Sequence, residues 1–494
     1  MLTAGLLSAC HKDKKIIVNP TDSTAIKLDI SNLIKDSVYL YAKETYLWYD
    51  AIPDYKTFLP RSYTGTNEIS ALTKEVDAIS QFKINPATGK PYEYYADDPG
   101  SAKYSFIDDG SVSTELGGTN GDFGFSILYQ ATTDLRIKYV YPGSPADKAG
   151  LKRGYQITKI NGRTSLDYDN GTNVQFIVNA VFGTDPLTMT VKKPDGTSTD
   201  VSLAVAEYTI NPVLTYKVFT QGEKKIGYLV FNTFTSPANA TPQLSKAFKA
   251  FTDASVTELI VDLRYNGGGY TSTAEYLDNL IVPSAKSGSK MYTYYYNNKL
   301  QADNHPLLSA IYDIKKGDFL PANNTVNFAK NGTLNISRVF FIVTSSTASA
   351  SELTINNLRP EMDVQFIGRT SYGKPVGFFA IDINKYQLYV PQFETKNSAG
   401  VGGYYAGMNP GTTDYPGKND YDDVSKDFGD STEVLLQHAL NFIKTGTYAV
   451  SGPRVQSLGK SQAMTADQVN AMTLKLDERK FKGMVGGKKD LRHK

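Results

Sequence analysis

The sequence predicts a multidomain α+β protein: a small helical N-terminal region, a module of short strands, and an alternating α/β core. Three observations predict it. Apolar residues recur at helical spacing early in the chain. Short strands with Gly and Asp turns follow from Gly117. Continuous apolar strands then alternate with helices as far as residue 445. At 494 residues the chain is long enough for about three domains.

The helical region spans residues 25–116. Ile34, Val38, Tyr41, Thr45 and Trp48 form one stripe and predict a helix over 31–49. Ile69, Leu72, Val76 and Ile79 repeat the spacing, and a Pro-containing loop over 52–60 separates the two. Trp48 reads as the core anchor of this region rather than a ligand platform.

The strand module spans 117–207. It runs from Gly121-Asp122-Phe123-Gly124-Phe125 through Tyr141-Pro142-Gly143-Ser144-Pro145-Ala146 and Leu151-Lys152-Arg153-Gly154 to Ile160-Asn161-Gly162. A short helix over 173–181 and a hairpin at Pro194-Asp195-Gly196 close it. In this order the motifs closely resemble a PDZ domain, a small β-barrel. Such a module suits an extended peptide end. The loop 122–125 can aim successive N–H groups at a terminal carboxylate, and the edge strand over 126–129 can pair with the peptide. Val174 and Val178 can line the pocket for its last side chain. The predicted peptide-binding set is therefore Phe123, Gly124, Phe125, Val174 and Val178.

In residues 208–445, the segments 226–231, 258–263, 339–344 and 364–368 read as strands, and the continuous apolar runs at 258–263 and 339–344 as strands of the buried kind. Helices are predicted over 242–251, 273–281, 349–358 and 430–443. The last is opened by the capping-box pattern Asp430-Ser431-Thr432-Glu433. Residues 446–494 are polar and end in a basic run, which reads as a solvated tail.

Composition narrows the chemistry. Lys+Arg 52 against Asp+Glu 50 gives a net charge of +2, too balanced for a nucleic-acid partner. One Cys excludes an intramolecular disulfide, a Cys-based zinc site and an iron–sulfur cluster. The four His, at 11, 305, 438 and 493, lack HExxH spacing, and they leave few bases for a Ser–His–Asp triad. The acidic run 420–423 lacks the ligand spacing of a calcium loop and reads as solvated. No metal or cofactor is implied.

Two segments stand out in the core. Asp262-Leu263-Arg264-Tyr265-Asn266-Gly267-Gly268-Gly269 takes a buried strand into a Gly-rich turn. Thr344-Ser345-Ser346-Thr347-Ala348-Ser349-Ala350-Ser351-Glu352 leads from a strand to a helix start, where a hydroxyl stands beside free backbone N–H groups. Alone, the second segment reads as a capped turn, with Ser349-x-x-Glu352 as its capping box. A third, Gly368-Arg369-Thr370-Ser371-Tyr372-Gly373-Lys374, changes that reading. Together the three resemble the C-terminal processing (tail-specific) serine proteases, which use a Ser/Lys dyad. Ser349 and Lys374 stand 25 residues apart, the separation usual in that family.

The resemblance covers about 117–445. It implies a protease core of the ClpP/crotonase-like kind and substrates that are proteins or peptides with free C-terminal tails. It makes Ser349 the nucleophile and Lys374 the general base. It makes the Ala350 N–H and an N–H in the Gly267–Gly268 turn the oxyanion hole, and it puts Glu352 where the family carries an acid near the dyad. The base works only as the neutral amine, which burial favours. The sequence departs from the family at Phe378, where many members carry a Gln that orients the Lys. That substitution leaves a backbone carbonyl, Glu352 or a Ser/Thr hydroxyl to orient Lys374. The alternative reading is a catalytically weak or inactive PDZ-containing, peptide-binding lipoprotein.

The first residues, 1–24, end an apolar run with Leu7-Ser8-Ala9-Cys10, the form of a bacterial lipobox, followed by a polar tether. The run is too short to span a bilayer and lacks a basic n-region. Cys10 is the expected site of lipidation. The expected location is the bacterial cell envelope, periplasmic or surface-exposed, with the membrane reached through the lipid anchor only.

Overall fold

The structure is a computed structural model. It describes residues 23–449 except 170 and 184, together with 476, 483–486, 491 and 493, and side chains from residue 30 onward. Cys10 lies outside the described residues.

The N-terminal region is built on helices α1 (Ser23–Thr45) and α2 (Glu68–Ser80). The second is capped by Asn67, whose side chain accepts from the Ser70 N–H. The first helix ends before Trp48, which is buried and stacks on Tyr92 with ring centroids 4.6 Å apart. This region shares its core with the α/β part of the chain. Val38, Leu72 and Ile79 belong to the same buried cluster as Leu229, Phe341 and Phe366. Its strand β1 (Phe106–Asp108) pairs antiparallel with Tyr386–Tyr389.

The strand module forms one five-stranded sheet. Its strands, in order across the sheet, are β2 (Phe125–Ala131), β3 (Asp134–Val140), β4 (Gln156–Ile160), β5 (Leu187–Lys192) and β6 (Ser198–Leu203), with helix α3 (Thr172–Gly183) packed against it. Alternation along β2 sends Ile127 and Tyr129 into this module's core. Leu128 joins Tyr139, Tyr141, Tyr265 and Val424 in a second cluster that docks the module on the rest of the chain.

The α/β core is a six-stranded sheet ordered β7-β8-β9-β11-β12-β13. The strands are β7 (Val213–Gln221), β8 (Lys224–Phe231), β9 (Glu258–Asp262), β11 (Arg338–Val343), β12 (Asp363–Gly368) and β13 (Gly417–Asn419). All are parallel except β7. Strand alternation divides the apolar run of β8 between the two faces. Leu229 and Phe231 face helices α4 (Pro237–Asp253), α5 (Thr271–Ile281) and α6 (Ala350–Leu358), and Ile226, Tyr228 and Val230 face α7 (Val434–Thr445). Both faces are covered, which explains why these strands read as continuously apolar.

Three expectations need correction. Helix α7 starts at Val434, not 430. Its N-cap is Glu433, whose carboxylate accepts from the Leu435 and Leu436 N–H groups. The acidic run 420–423 is not a solvated loop. Asp422 is ion-paired to both Arg153 and Arg264, and Asp420 is hydrogen-bonded to His438 Nε2 at 2.9 Å. The C-terminal segment is not wholly a solvated tail either. Gly483–Val485 forms a buried strand, β14, parallel to the short strand β10 (Gly268–Tyr270). Backbone groups of two neighbouring segments satisfy its own, so a stretch with no apolar periodicity becomes a strand.

Candidate active site

Three loops leave the C-terminal ends of neighbouring parallel strands: the Gly turn after β9, the Ser-rich turn after β11, and the Lys374 turn after β12. In an open parallel sheet this edge is where ligands bind, because the loops converge there and helix N-termini point toward it. Segments 107 residues apart in sequence (Gly267 and Lys374) thus meet at one crevice.

Ser349 is the N-cap of α6 and is held at φ 59°, ψ −107°. A non-Gly residue at positive φ is costly, roughly 1–3 kcal/mol, and this strained strand–turn–helix corner presents a nucleophile. Its Oγ is buried and has no hydrogen-bond partner among the described residues. The Ala350 N–H is the first of α6, so it has no helical acceptor.

Glu352 ties the Ser349 turn to the Lys374 turn. Its carboxylate accepts from the Ser349 N–H at 2.9 Å, the Gly373 N–H at 2.8 Å and the Lys374 N–H at 2.9 Å, and from the Ser371 hydroxyl. Burial pushes this carboxyl above its ordinary range, and the four donors oppose that shift. Three of these bonds come from main-chain N–H groups on the two turns, so the Glu352 carboxylate holds the turns in register. The Lys374 turn is held from the other side by the N-terminal region: the Tyr104 hydroxyl donates to the Gly373 carbonyl at 2.6 Å, and Lys103 Nζ to the Tyr372 carbonyl at 3.1 Å.

Lys374 is fully buried. Its Nζ lies 3.9 Å from the centroid of the Phe378 ring and 5.4 Å from that of Tyr104. The face of the Phe378 ring is thus one of the surfaces against which the lysine head group rests. An aromatic four residues after the Lys was the available signal. The role of Tyr104 had none, because it comes from 270 residues upstream.

The Gly turn approaches α6 closely. Gly268 sits at φ 104°, and a Cβ there would stand 2.9 Å from the Ala350 nitrogen. Only Gly admits both the conformation and the approach. The Gly268 N–H is already given to Asn266 Oδ1 at 2.9 Å. As an oxyanion donor it would have to leave that acceptor, while Gly267 has no such side-chain acceptor among the described residues.

In the strand module, Phe123 and Phe125 are buried in the core, so what they offer a peptide is backbone. The Gly124 N–H is taken by Asp122 Oδ1 at 2.7 Å. Val174 and Val178 are half-buried on α3 and pack against the module's core. Arg153 of this module reaches into the core. It is buried, 2.7 Å from Asp422 and 2.7 Å from the Tyr265 hydroxyl, two residues before Gly267.

Comparison with known proteins fits this architecture. Residues 225–400 match the model of peptidase family S41, and residues 136–192 that of the PDZ domain. The chain is 25% identical over 290 residues to carboxy-terminal processing protease CtpB of Bacillus subtilis, covering 58% of this chain and 51% of that one. It is 22% identical over 284 residues to CtpA of the same organism, covering 58% and 52%. The chain thus spans about half the length of these curated relatives. Its fold resembles that of an S41-type protein from Bacteroides fragilis, with a TM-score of 0.57 and 23% identity over 83% of this chain and 97% of that one. Within this chain a segment similar to the PDZ domain thus precedes one similar to peptidase family S41.

Proposed function

We propose that this protein is a serine endopeptidase of the C-terminal processing type, with Ser349 as nucleophile and Lys374 as general base. One observation carries the reading. A strained serine hydroxyl with no hydrogen-bond partner among the described residues and a buried lysine sit on adjacent strand ends, locked together by the Glu352 carboxylate. In this mechanism the neutral Lys374 amine takes the Ser349 proton as Oγ attacks the peptide carbonyl. The Ala350 N–H and a Gly267–Gly268 N–H receive the developing oxyanion, worth roughly 3–4 kcal/mol per donor. Lys374 then returns the proton to the leaving amine, and water releases the acyl group.

The PDZ domain would supply substrates by capturing C-terminal tails on the open edge of β2. Cys10, lipidated, would hold the protein at the cell envelope. Two acyl chains on one Cys suffice for stable anchoring. Labelled palmitate should be incorporated by the wild type and lost in Cys10→Ala.

A second reading, a weak or inactive peptide-binding lipoprotein, is favoured by the Phe378 ring, whose face stabilises the ammonium rather than the amine. A fluorophosphonate probe separates the two. The active protease acquires the label on Ser349 and digests casein. Label on Ser346 or Ser351 would move the nucleophile, and no label with intact casein would favour the binding protein.

A further inference from the structure

Strand β14 lies inside the crevice just described. On one side the Gly483 N–H donates to the Gly267 carbonyl at 2.9 Å, and Gly483, Met484 and Val485 run parallel opposite Gly268, Gly269 and Tyr270. On the other side the Phe378 N–H donates to the Met484 carbonyl at 2.8 Å, and the Gly486 N–H donates to the Phe378 carbonyl at 2.9 Å. The segment is thus an inserted strand, paired by its backbone to the Gly turn on one edge and to Phe378, the residue that faces Lys374, on the other.

The fit is close at both walls. A Cβ on Gly268 would meet the Gly483 carbonyl oxygen at 2.3 Å and the Ala350 nitrogen at 2.9 Å. The Gly483 carbonyl therefore stands beside the N–H that the mechanism assigns to the oxyanion. A Cβ on Gly377 would meet the Met484 carbonyl at 2.8 Å. Met484 is fully buried. Neighbouring parts of the same segment are also docked. Leu476 joins the core cluster of the PDZ domain, against which Val174 and Val178 pack, and His493 pairs with Asp382 at 2.7 Å.

An extended peptide recognised by backbone pairing needs free N–H and C=O groups on the walls that receive it. Here β14 uses those groups on both walls, and Leu476 takes apolar surface of the PDZ domain. We propose that residues 483–486 are an intramolecular occupant of the peptide channel, so that a polypeptide substrate enters only after this strand leaves. The proposal rests on the reading of Ser349 and its neighbours as the active site. Because the occupant is tethered, its local concentration far exceeds that of a dilute substrate. The channel that it marks takes an extended chain with glycine beside the oxyanion donors and a buried apolar side chain next to it.

The test uses the full chain carrying Ser349→Ala and a labelled nine-residue peptide with the sequence of residues 480–488. Binding is followed by fluorescence anisotropy. Met484→Asp puts a carboxylate where a methionine is buried and should expel the strand. Gly483→Pro, which removes the N–H given to Gly267 without adding charge, serves if the first variant folds poorly. Either addition should tighten peptide binding at least tenfold over Ser349→Ala alone. Equal affinity, or no binding in any variant, would overturn the proposal. With Ser349 restored, Met484→Asp should also speed fluorophosphonate labelling about tenfold. No labelling in any variant, with the affinity difference intact, would overturn the nucleophile assignment and support the strand's place in the channel.

Discussion

Ser349→Ala should lower kcat by roughly 10⁶-fold, the scale seen when a nucleophile is removed from a serine peptidase, and should leave stability unchanged or slightly raised. The first effect follows from the loss of the attacking oxygen. The second follows from the setting of that oxygen. It is buried and unpartnered among the described residues, so deleting it breaks no bond and relieves the desolvation of an unsatisfied hydroxyl. Steady-state cleavage of a peptide and urea unfolding of the same preparations check both halves. Residual activity above about 1% would mean another nucleophile.

Lys374→Arg should be as inactive as Lys374→Ala, since a guanidinium stays protonated at any usable pH. In the wild type kcat/KM should rise with pH as the amine forms, then level off. Phe378 gives that profile a second handle. Its ring, 3.9 Å from Nζ, stabilises the ammonium, so it holds the rising limb at higher pH. Phe378→Leu should therefore shift the limb to lower pH. A shift in the opposite direction would mean that the ring does not contact the titrating form.

The second large effect concerns stability. Arg264 is buried in a charge network, bonding Asp262 at 2.7 Å, Asp422 at 2.6 Å and Glu433 at 3.0 Å, while Arg153 shares Asp422 at 2.7 Å. Arg264→Ala leaves these carboxylates without their central cation, and the expected loss is about 3–5 kcal/mol in urea unfolding. The same network sets an acid limit. Burial alone would raise the Asp422 pKa, but the Arg153 and Arg264 guanidiniums hold it down at about 2, against an ordinary 3.8. Its folded value lies below the unfolded one. The stabilisation, about 2 kcal/mol, is therefore complete above pH about 4 and is lost as pH falls toward 2. The stability gap between wild type and Asp422→Asn should narrow by that amount across this window. A constant gap would show that Asp422 titrates alike in both states.

These two tests divide along the line between local and long-range information. The sequence by itself determined the order of the elements, because period-2 and period-3.6 apolar patterns are local properties of strands and helices. It also placed Ser349, Lys374 and the Gly turn on the loops after three buried strands, and a parallel sheet brings such loops to one edge whatever else the chain does. The N-cap of α7 was misplaced by three residues because Glu433 both caps the helix and binds Arg264, a tertiary demand that no local pattern carries.

What only the tertiary structure decided are the contacts made by residues with no local reason to be buried. Asp422 sits in an acidic, Gly-poor run that reads as solvated until two arginines, 269 and 158 residues away, are brought to it. Phe378 reads as a lost hydrogen-bond partner until its ring is seen face-on to Lys374. Gly483–Gly486 reads as tail because four residues cannot show a period. The segment becomes a strand because the Gly267 and Phe378 backbones, 111 residues apart in the chain, leave a slot with unpaired groups on both sides. Backbone hydrogen bonding is indifferent to side-chain identity, so such a pairing leaves almost no trace in the sequence that makes it.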